Sequence, residues 1–479
     1  MSKHYLFSMF TRDFFAGKRV TVMGLGLNEG GVGTVRFLAT LGVREIIVTD
    51  LKTESELAPS LRVLKLVKGV RYVLGEHQEK DFIETDLVIK TPGLPWTNPF
   101  IKTALAHGVP VTMDSGLFFD LCEAPIIGVT GTKGKTTTAS LIAHLLEKAG
   151  KKVVRVGISQ VSVLGELEKV DKESVVVFEL SSWRLSVLSQ LHKSPTVAVI
   201  TNIYPDHQNY YANMEEYVED KKNIFRFQSG ADSVVLNGDN TWTQSMAGEA
   251  RGNVVWFSGT GQVTSDGFSL RGDRLVLTSG GQQEEIATLA GTRFVGAHNR
   301  ENAVAAVAAV RIWGIDPAVI QAGLLSFEGV PHRLELVGEK RGIRFYNDSA
   351  ATIPEAAMAA LESFTKPVYL IVGGSDKNLD FGRLACVILE RAKGVIFLKG
   401  AGTDKLLAEL RARLMENGLG VWRFEVVESM GKAVELATRS AEEGDIVLLS
   451  PGTASFGLFK NEFDRGDQFR QYVNELPEA

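Results

Sequence analysis

The residues best equipped for chemistry lie near position 130, where Ile126-Ile127-Gly128-Val129-Thr130 runs into Gly131-Thr132-Lys133-Gly134-Lys135-Thr136-Thr137-Thr138. Glycines let successive backbone N–H groups converge on phosphate oxygens, Lys135 can reach the terminal phosphates, and the Thr136 hydroxyl can ligate Mg2+. Leu141, Ile142, Leu145 and Leu146 follow at helical spacing, so a helix N-terminus adds positive potential at the same place. The spacing departs from the commonest phosphate-loop pattern, because Val129 stands where a glycine is expected and Gly128 comes one place early. The segment predicts a nucleoside triphosphate site.

Two apolar runs downstream end in polar residues. In Val175-Val176-Val177-Phe178-Glu179 a carboxylate closes a buried strand at the edge where parallel sheets bind ligands, placing Glu179 to hold Mg2+. Val197-Ala198-Val199-Ile200-Thr201-Asn202 leads to Asp206-His207, where His207 either faces phosphate or metal or forms a structural pair with Asp206. Lys221 sits in a charged stretch with helical spacing and, on pattern alone, reads as part of a solvated face. Pro331-His332-Arg333 and Tyr346-Asn347-Asp348-Ser349 offer an arginine and an acid. Arg333 reaching across a domain cleft would stabilise charge on a transferring phosphoryl group, and a boundary salt bridge is the equal alternative.

The elements that must position these residues repeat one plan three times: a β-branched run ending in a glycine-rich turn, at Val20–Gly26, at the phosphate loop and at Val368–Gly374. Such runs alternating with helical patterns predict an α/β chain with parallel sheets in three domains at about 1-112, 113-330 and 331-479, each burying its own core. Residues from about Val254 to Ile286 predict a small β excursion in the middle domain, with hairpin signals at Ser265-Asp266-Gly267 and Ser279-Gly280-Gly281. The first glycine turn, with Asp50 closing the next strand, suggests a dinucleotide fold. Glu29 stands where the third glycine belongs, which favours some other phosphate or nucleotide contact, or a turn that only packs.

Composition narrows the classes further. The 479 residues are 44% hydrophobic and 23% charged with 48 glycines, an ordinary soluble α/β composition. A net charge of -5, with no basic stripe, argues against nucleic acid or an anionic membrane as partner. Cys122 and Cys386 are the only cysteines, which excludes a disulfide framework and suits the cytoplasm. Arg12 and Asp13 interrupt the apolar residues of Met1–Phe15, and no run approaches the ~18 residues of a spanning helix, so neither export nor membrane insertion is expected.

As an ordered series these residues resemble the Mur ligase family, and most closely its D-glutamate-adding branch. The series is Thr130–Thr137, Glu179-Leu180-Ser181-Ser182, Thr201-Asn202 with Asp206-His207, Tyr217 with Lys221 and Ile224, and Gly296-Ala297-His298-Asn299 with Asn302. It continues through Pro331-His332-Arg333, Asn347-Asp348-Ser349, and Ser450-Pro451 with Ser455, Phe459, Lys460 and Arg465-Gly466. The resemblance implies Rossmann-like outer domains around a central ATPase-type domain. The implied reaction has ATP phosphorylate the carboxylate of UDP-N-acetylmuramoyl-L-alanine, after which the amine of D-glutamate attacks the acyl phosphate. It implies that Gly131, Thr132, Lys133, Gly134, Lys135, Thr136, Thr137, Asn299, Asn302, Arg333 and Asp348 meet ATP. Lys135, Glu179, His207, Lys221 and Arg333 would serve catalysis.

It further implies two Mg2+ ions, one on Thr136 and Glu179 and one on His207 and a carbamylated Lys221. Gly26, Asp50 and Ser182 would meet the acceptor, and Lys377, Ser455 and Phe459 the amino acid. A cytoplasmic monomer is expected. Ala350, Glu462-Phe463, Ser159-Gln160 and Gly116 depart from the family pattern, chiefly at the amino-acid and acceptor ends. A relative adding another amino acid, or acting on a longer peptide or a folate, is the nearest alternative. An ATP-driven motor or switch is the alternative from another class.

Overall fold

The computed structural model describes residues 10–158, 161–208, 210–261, 266–416 and 424–477. Ser159-Gln160, and the first nine residues on which the expectation of no export segment partly rests, lie outside the described residues. The chain divides into two compact units, Met1–Ala290 with Glu301–Leu324, and Gly291–Arg300 with Leu325–Ala479. The expected α/β class holds throughout both.

The first unit carries two sheets. One is fully parallel, in the order Val70–Leu74, Glu45–Asp50, Arg19–Met23, Leu87–Lys90 and Val111–Thr112. The other has nine strands. Its parallel part runs Lys152–Val156, Ser174–Glu179, Ile126–Thr130, Val197–Ile200, Ser233–Asn237, Asn253–Ser258 and Gly267–Arg271. Arg274–Ser279 and Gln282–Thr288 then join antiparallel. The β excursion therefore extends the main sheet.

One hairpin expectation is corrected. Asn253–Ser258 and Gly267–Arg271 pair in parallel, so they are not the two arms of a hairpin; Ser265 itself lies outside the described residues. The reversal instead falls at Gly272, in the left-handed region at φ 61°, while Ser279-Gly280-Gly281 turns as expected.

The phosphate-loop strand is buried along its whole length, as parallel strands covered on both faces are. Gly128 belongs to that strand: a Cβ there would lie 2.4 Å from Pro195 Cγ. The early glycine is thus a packing residue, which explains the unusual spacing. Residues of both sheets share one apolar cluster, in which Val22 and Ile46 join Ile126 and Phe178. Leu117, Phe118 and Phe119 of the helix Asp114–Leu121 belong to the same cluster, and Phe118 and Phe119 both contact the Phe178 ring. Met23, Phe82, Val88, Ile101 and Val111 form a further cluster drawn from the first sheet and its helices alone.

The second unit carries a mixed six-stranded sheet in the order Glu335–Lys340, Ile343–Asn347, Ile446–Leu449, Val368–Val372, Ala392–Leu398 and Glu425–Val427, antiparallel only at its first pair. Alternate residues of its strands feed two apolar clusters. Leu370 and Leu448 pack with Leu361 and Leu384, and Ile371 and Leu449 pack with Val434 and Phe469.

Candidate active site

Thr130 ends its strand and the helix Lys135–Lys148 begins five residues later, with Gly134 as N-cap at φ 85° and no side chain capping the first turn. Gly131, at φ 148°, and Gly134 are required by crowding as well as by conformation. A Cβ on Gly131 would lie 1.9 Å from Thr201 Oγ1, and one on Gly134 would lie 2.1 Å from Asn302 Oδ1. The neighbouring strand end holds the loop. Thr132 N donates to Asn202 O at 2.8 Å, Lys133 N to Asn202 Oδ1 at 2.9 Å, and Thr201 Oγ1 to Lys133 O at 2.5 Å. Asn202 was legible only as part of a strand end, and the structure makes it the brace of the loop. Lys135 Nζ folds back onto Gly131 O and Thr132 O at 3.1 and 2.9 Å.

Lys221 is the correction that matters most, because the helix Met214–Lys222 turns it inward. Asn213 caps this helix by accepting from Glu216 N at 2.9 Å. Far from a solvated face, Lys221 is 1% exposed, with Nζ 2.8 Å from Gly131 O and 4.7 Å from the centre of the Tyr217 ring. Burial drives its pKa well below the usual lysine value, and Lys135 pushes the same way. His207 sits at φ 54° against the Trp183 ring, 4.6 Å between centres. Burial lowers its pKa too, Asp206 opposes, and Lys135, Lys221 and Lys133 add to the lowering, so the imidazole is held neutral as metal ligation needs. Asp206 pairs with Lys133 at 3.3 Å and accepts from His207 N at 2.9 Å.

Glu179 closes its strand, and Ser182 is buried at the start of the turn Ser182–Leu185. Among the described residues no three His, Cys, Asp or Glu side chains gather as a metal cage. Thr136 lies in the first turn of the phosphate-loop helix, and Glu179 ends the strand that pairs with the phosphate-loop strand.

In the first sheet Asp50 is braced by backbone amides. Its Oδ2 accepts from Leu25 N at 2.8 Å and Gly26 N at 2.9 Å, and its Oδ1 from Lys52 N at 2.9 Å. Gly26, at φ 62°, has open space around it. Trp183, Arg184, Asp114 and Lys90 also line a cleft in this unit and were not singled out from sequence. They come from three separate stretches of sequence, with no periodicity to find.

In the second unit Arg333 is exposed between two left-handed residues, His332 at φ 63° and Leu334 at φ 44°. Leu334 N donates to Asp348 Oδ1 at 3.1 Å and Ala350 N to His332 O at 3.0 Å, so the structure brings Arg333 and Asp348 onto adjoining segments. Asp348 is buried and accepts from Ser450 Oγ at 2.8 Å; burial pushes its pKa up to about 7. Asn299 Nδ2 donates to Val295 O at 3.1 Å. Lys377 is exposed beyond Gly373-Gly374, whereas Ser455 and Phe459 are buried. Ser375 N donates to Ala454 O at 3.0 Å and Ser375 Oγ to Phe456 O at 2.5 Å, which brings the Lys377 loop beside the Ser455–Phe459 loop.

Three family models match in chain order: the Mur ligase MurD-like N-terminal domain over residues 18–113, the Mur ligase middle domain over 129–310, and the Mur ligase glutamate ligase domain over 332–452. The UDP-N-acetylmuramoylalanine–D-glutamate ligase of Roseiflexus sp. is 41% identical over 96% of this chain and 99% of its own. The chain belongs to the Mur ligase family. A second ligase of that name, from Acetivibrio thermocellus, is 40% identical over 96% of this chain and 97% of its own. The Mur ligase fold is seen again in the UDP-N-acetylmuramate-alanine ligase of Thermotoga maritima, at a TM-score of 0.59 and 19% identity over 96% of this chain and 99% of that one. A pseudomurein peptide ligase from Methanothermus fervidus gives 0.54 and 18% over 96% and 100%.

Proposed function

We propose that this Mur ligase joins D-glutamate to UDP-N-acetylmuramoyl-L-alanine at the expense of ATP, in the synthesis of peptidoglycan precursor. The names of the full-length relatives support the substrates. The observation that carries the chemistry is Lys221, buried with its amine on Gly131 O and its pKa pushed far down. A neutral amine adds CO2, forming an N–C bond and releasing one proton, and so becomes an anionic oxygen donor beside the phosphate loop.

In this reading Lys135 and the loop amides orient the triphosphate. Thr136 and Glu179 would hold one Mg2+, and His207 with carbamylated Lys221 a second. These ions would offset the repulsion between the acceptor carboxylate and the γ-phosphate. The carboxylate oxygen takes the γ-phosphoryl group, ADP leaves, and the D-glutamate nitrogen then displaces phosphate to give the amide. Arg333 adds positive charge for the phosphoryl oxygens, Asn299, Asn302 and Asp348 serve the nucleoside, and Lys377, Ser455 and Phe459 the amino acid. Asp50 acts on the acceptor side through the turn it braces. Domains at 1-112, 113-330 and 331-479, a monomer and a cytoplasmic location belong to the same reading.

The test is mass-spectrometric product detection with ATP, Mg2+ and the UDP-linked acceptor, offering D-glutamate, L-glutamate and other amino acids separately. Product with D-glutamate alone is expected. Ala350, standing where the resemblance expects lysine, favours a second reading in which another amino acid is added, and product with that amino acid alone would select it.

A further inference from the structure

Arg333 is exposed, and the buried residues on either side of it, His332 at φ 63° and Leu334 at φ 44°, are both left-handed. Neither is glycine, and a residue with a Cβ keeps such a conformation only where its surroundings over-determine it. Hydrogen bonds supply that restraint: His332 N donates to Glu335 Oε2 at 2.8 Å, Ala350 N to His332 O at 3.0 Å, and Leu334 N to Asp348 Oδ1 at 3.1 Å. The His332 ring is wedged as well. It meets the Phe463 ring at 5.6 Å between centres, and a Cβ on Gly466 would lie 2.1 Å from its Nδ1.

Of the carboxylates in this set, Asp348 already has a nucleoside to serve in the ligase reading, whereas Glu335 has no task in it. Glu335 opens the edge strand Glu335–Lys340. Besides His332 N, its Oε2 accepts from Asn347 Nδ2 at 3.0 Å, and Arg470 of the helix Glu462–Asn474 pairs with its Oε1 at 3.0 Å. Asn347 is fully buried and its Oδ1 accepts from Ser349 N at 3.2 Å, so the same carboxylate ties the turn to the segment that carries Asp348. The side chain of Glu335 is 17% exposed, and a charge-assisted bond from so sheltered a carboxylate to a backbone amide is about twice as strong as a neutral one. Arg470 supplies the counter-charge, which leaves the nearby cation, Arg333, exposed.

We propose that Glu335 is a positioning residue for phosphoryl transfer: with Arg470 as its counter-charge, it locks the left-handed turn that presents Arg333, and touches no substrate itself. The proposal deepens the ligase reading above and rests on it for the task of Arg333. Without the charge on Glu335 the hold on His332 N weakens and the turn relaxes toward ordinary backbone angles. The Arg333 guanidinium then moves away from the charge that develops on the phosphoryl oxygens, and a displacement of about 1 Å is enough to cost much of such a group's effect.

The test is steady-state kinetics of the full chain with ATP, Mg2+, the UDP-linked acceptor and D-glutamate, for Glu335→Gln, Arg333→Ala and the double variant. Glutamine keeps an oxygen for His332 N but not the charge, so kcat is expected to fall roughly 10-fold with each KM within about twofold of the parent. Arg333→Ala is expected to lose about 100-fold or more, and adding Glu335→Gln to it to change kcat less than about twofold, because no guanidinium is left to place. An unchanged kcat in Glu335→Gln overturns the proposal. So does a loss of the same size with and without Arg333, which would mark a purely structural acid. Should Glu335→Gln melt too low to assay, Arg470→Gln decides: a loss of about threefold in kcat, absent beside Arg333→Ala, is expected, and no loss overturns the proposal. Full activity in Arg333→Ala overturns the task given to Arg333 and this proposal with it, while a parent that makes no product overturns the ligase reading beneath both.

Discussion

Two strand–glycine–helix turns in the first unit follow the same plan and are filled in opposite ways. At Gly24–Gly26 the next strand delivers Asp50, whose carboxylate takes the amides of Leu25 and Gly26. At Gly131–Gly134 the neighbouring strand delivers Asn202, a neutral brace, and the Lys135 and Lys221 amines lie on carbonyls of the loop. A carboxylate of the chain takes two amides of the first turn, while a neutral amide braces the second, where Lys135 supplies positive charge. The difference teaches that a glycine turn is a phosphate site only when the chain does not supply the anion itself.

Removing the cation of the second turn gives the largest effect. Lys135→Ala is expected to lower ligation at least about 1000-fold while UDP binding stays intact, which kinetics and calorimetry together would check. Ligation surviving in this variant would break the comparison, because the second turn would then not be the phosphate site. Next comes Lys221→Ala, with a loss of about 100-fold or more that formate partly restores. Burial lowers the pKa of the amine and CO2 adds only to its unprotonated form, so the unaltered enzyme should lose activity when CO2 is removed and lose more as pH falls. Isotope-labelled CO2 giving no carbamate signal by NMR would sink this account of Lys221.

The same substitution in the two turns separates crowding from conformation. Gly26→Ala meets open space at φ 62° and should cost roughly 1–2 kcal/mol of stability from its backbone alone. Gly134→Ala adds a Cβ 2.1 Å from Asn302 Oδ1, so it should cost more in thermal melts and should also impair ATP binding. Equal melts and unchanged ATP affinity would show that the second turn yields as freely as the first.

How far this was legible differs residue by residue. The three glycine turns, the parallel sheets and the strand-end placement of Glu179 follow from local pattern, since β-branched runs and glycines act over a few residues. Lys221 was not legible from pattern, because a charged helix face and a lysine turned inward share the same spacing; only the ordered resemblance singled it out. Gly128 was readable as a glycine but not as a packing residue, since Pro195 is distant in sequence. The Asp114–Arg184 pair joins residues 70 apart and carries no periodic signal. The strands on either side of Asp266 pair in parallel and not as a hairpin, because turn residues also end parallel connections and only strand pairing tells the two apart.

The smallest effect belongs to Asp50, and it bears most directly on why the two turns differ. Asp50→Asn keeps an oxygen able to accept from Leu25 and Gly26 but removes the charge that strengthens both bonds, and it sets an amide donor near Lys52 N, where Oδ1 now accepts. Trading charge-assisted bonds for neutral ones should cost roughly 1–2 kcal/mol of stability. UDP affinity should fall only a few-fold, through a loosened turn, and ADP affinity should not move, because the second turn has its own brace in Asn202. Melting and two titrations decide the matter. If UDP binding collapses with no loss of stability, Asp50 faces the ligand and the first turn is an open site like the second; if stability falls and binding follows it, the carboxylate is the anion that fills the turn.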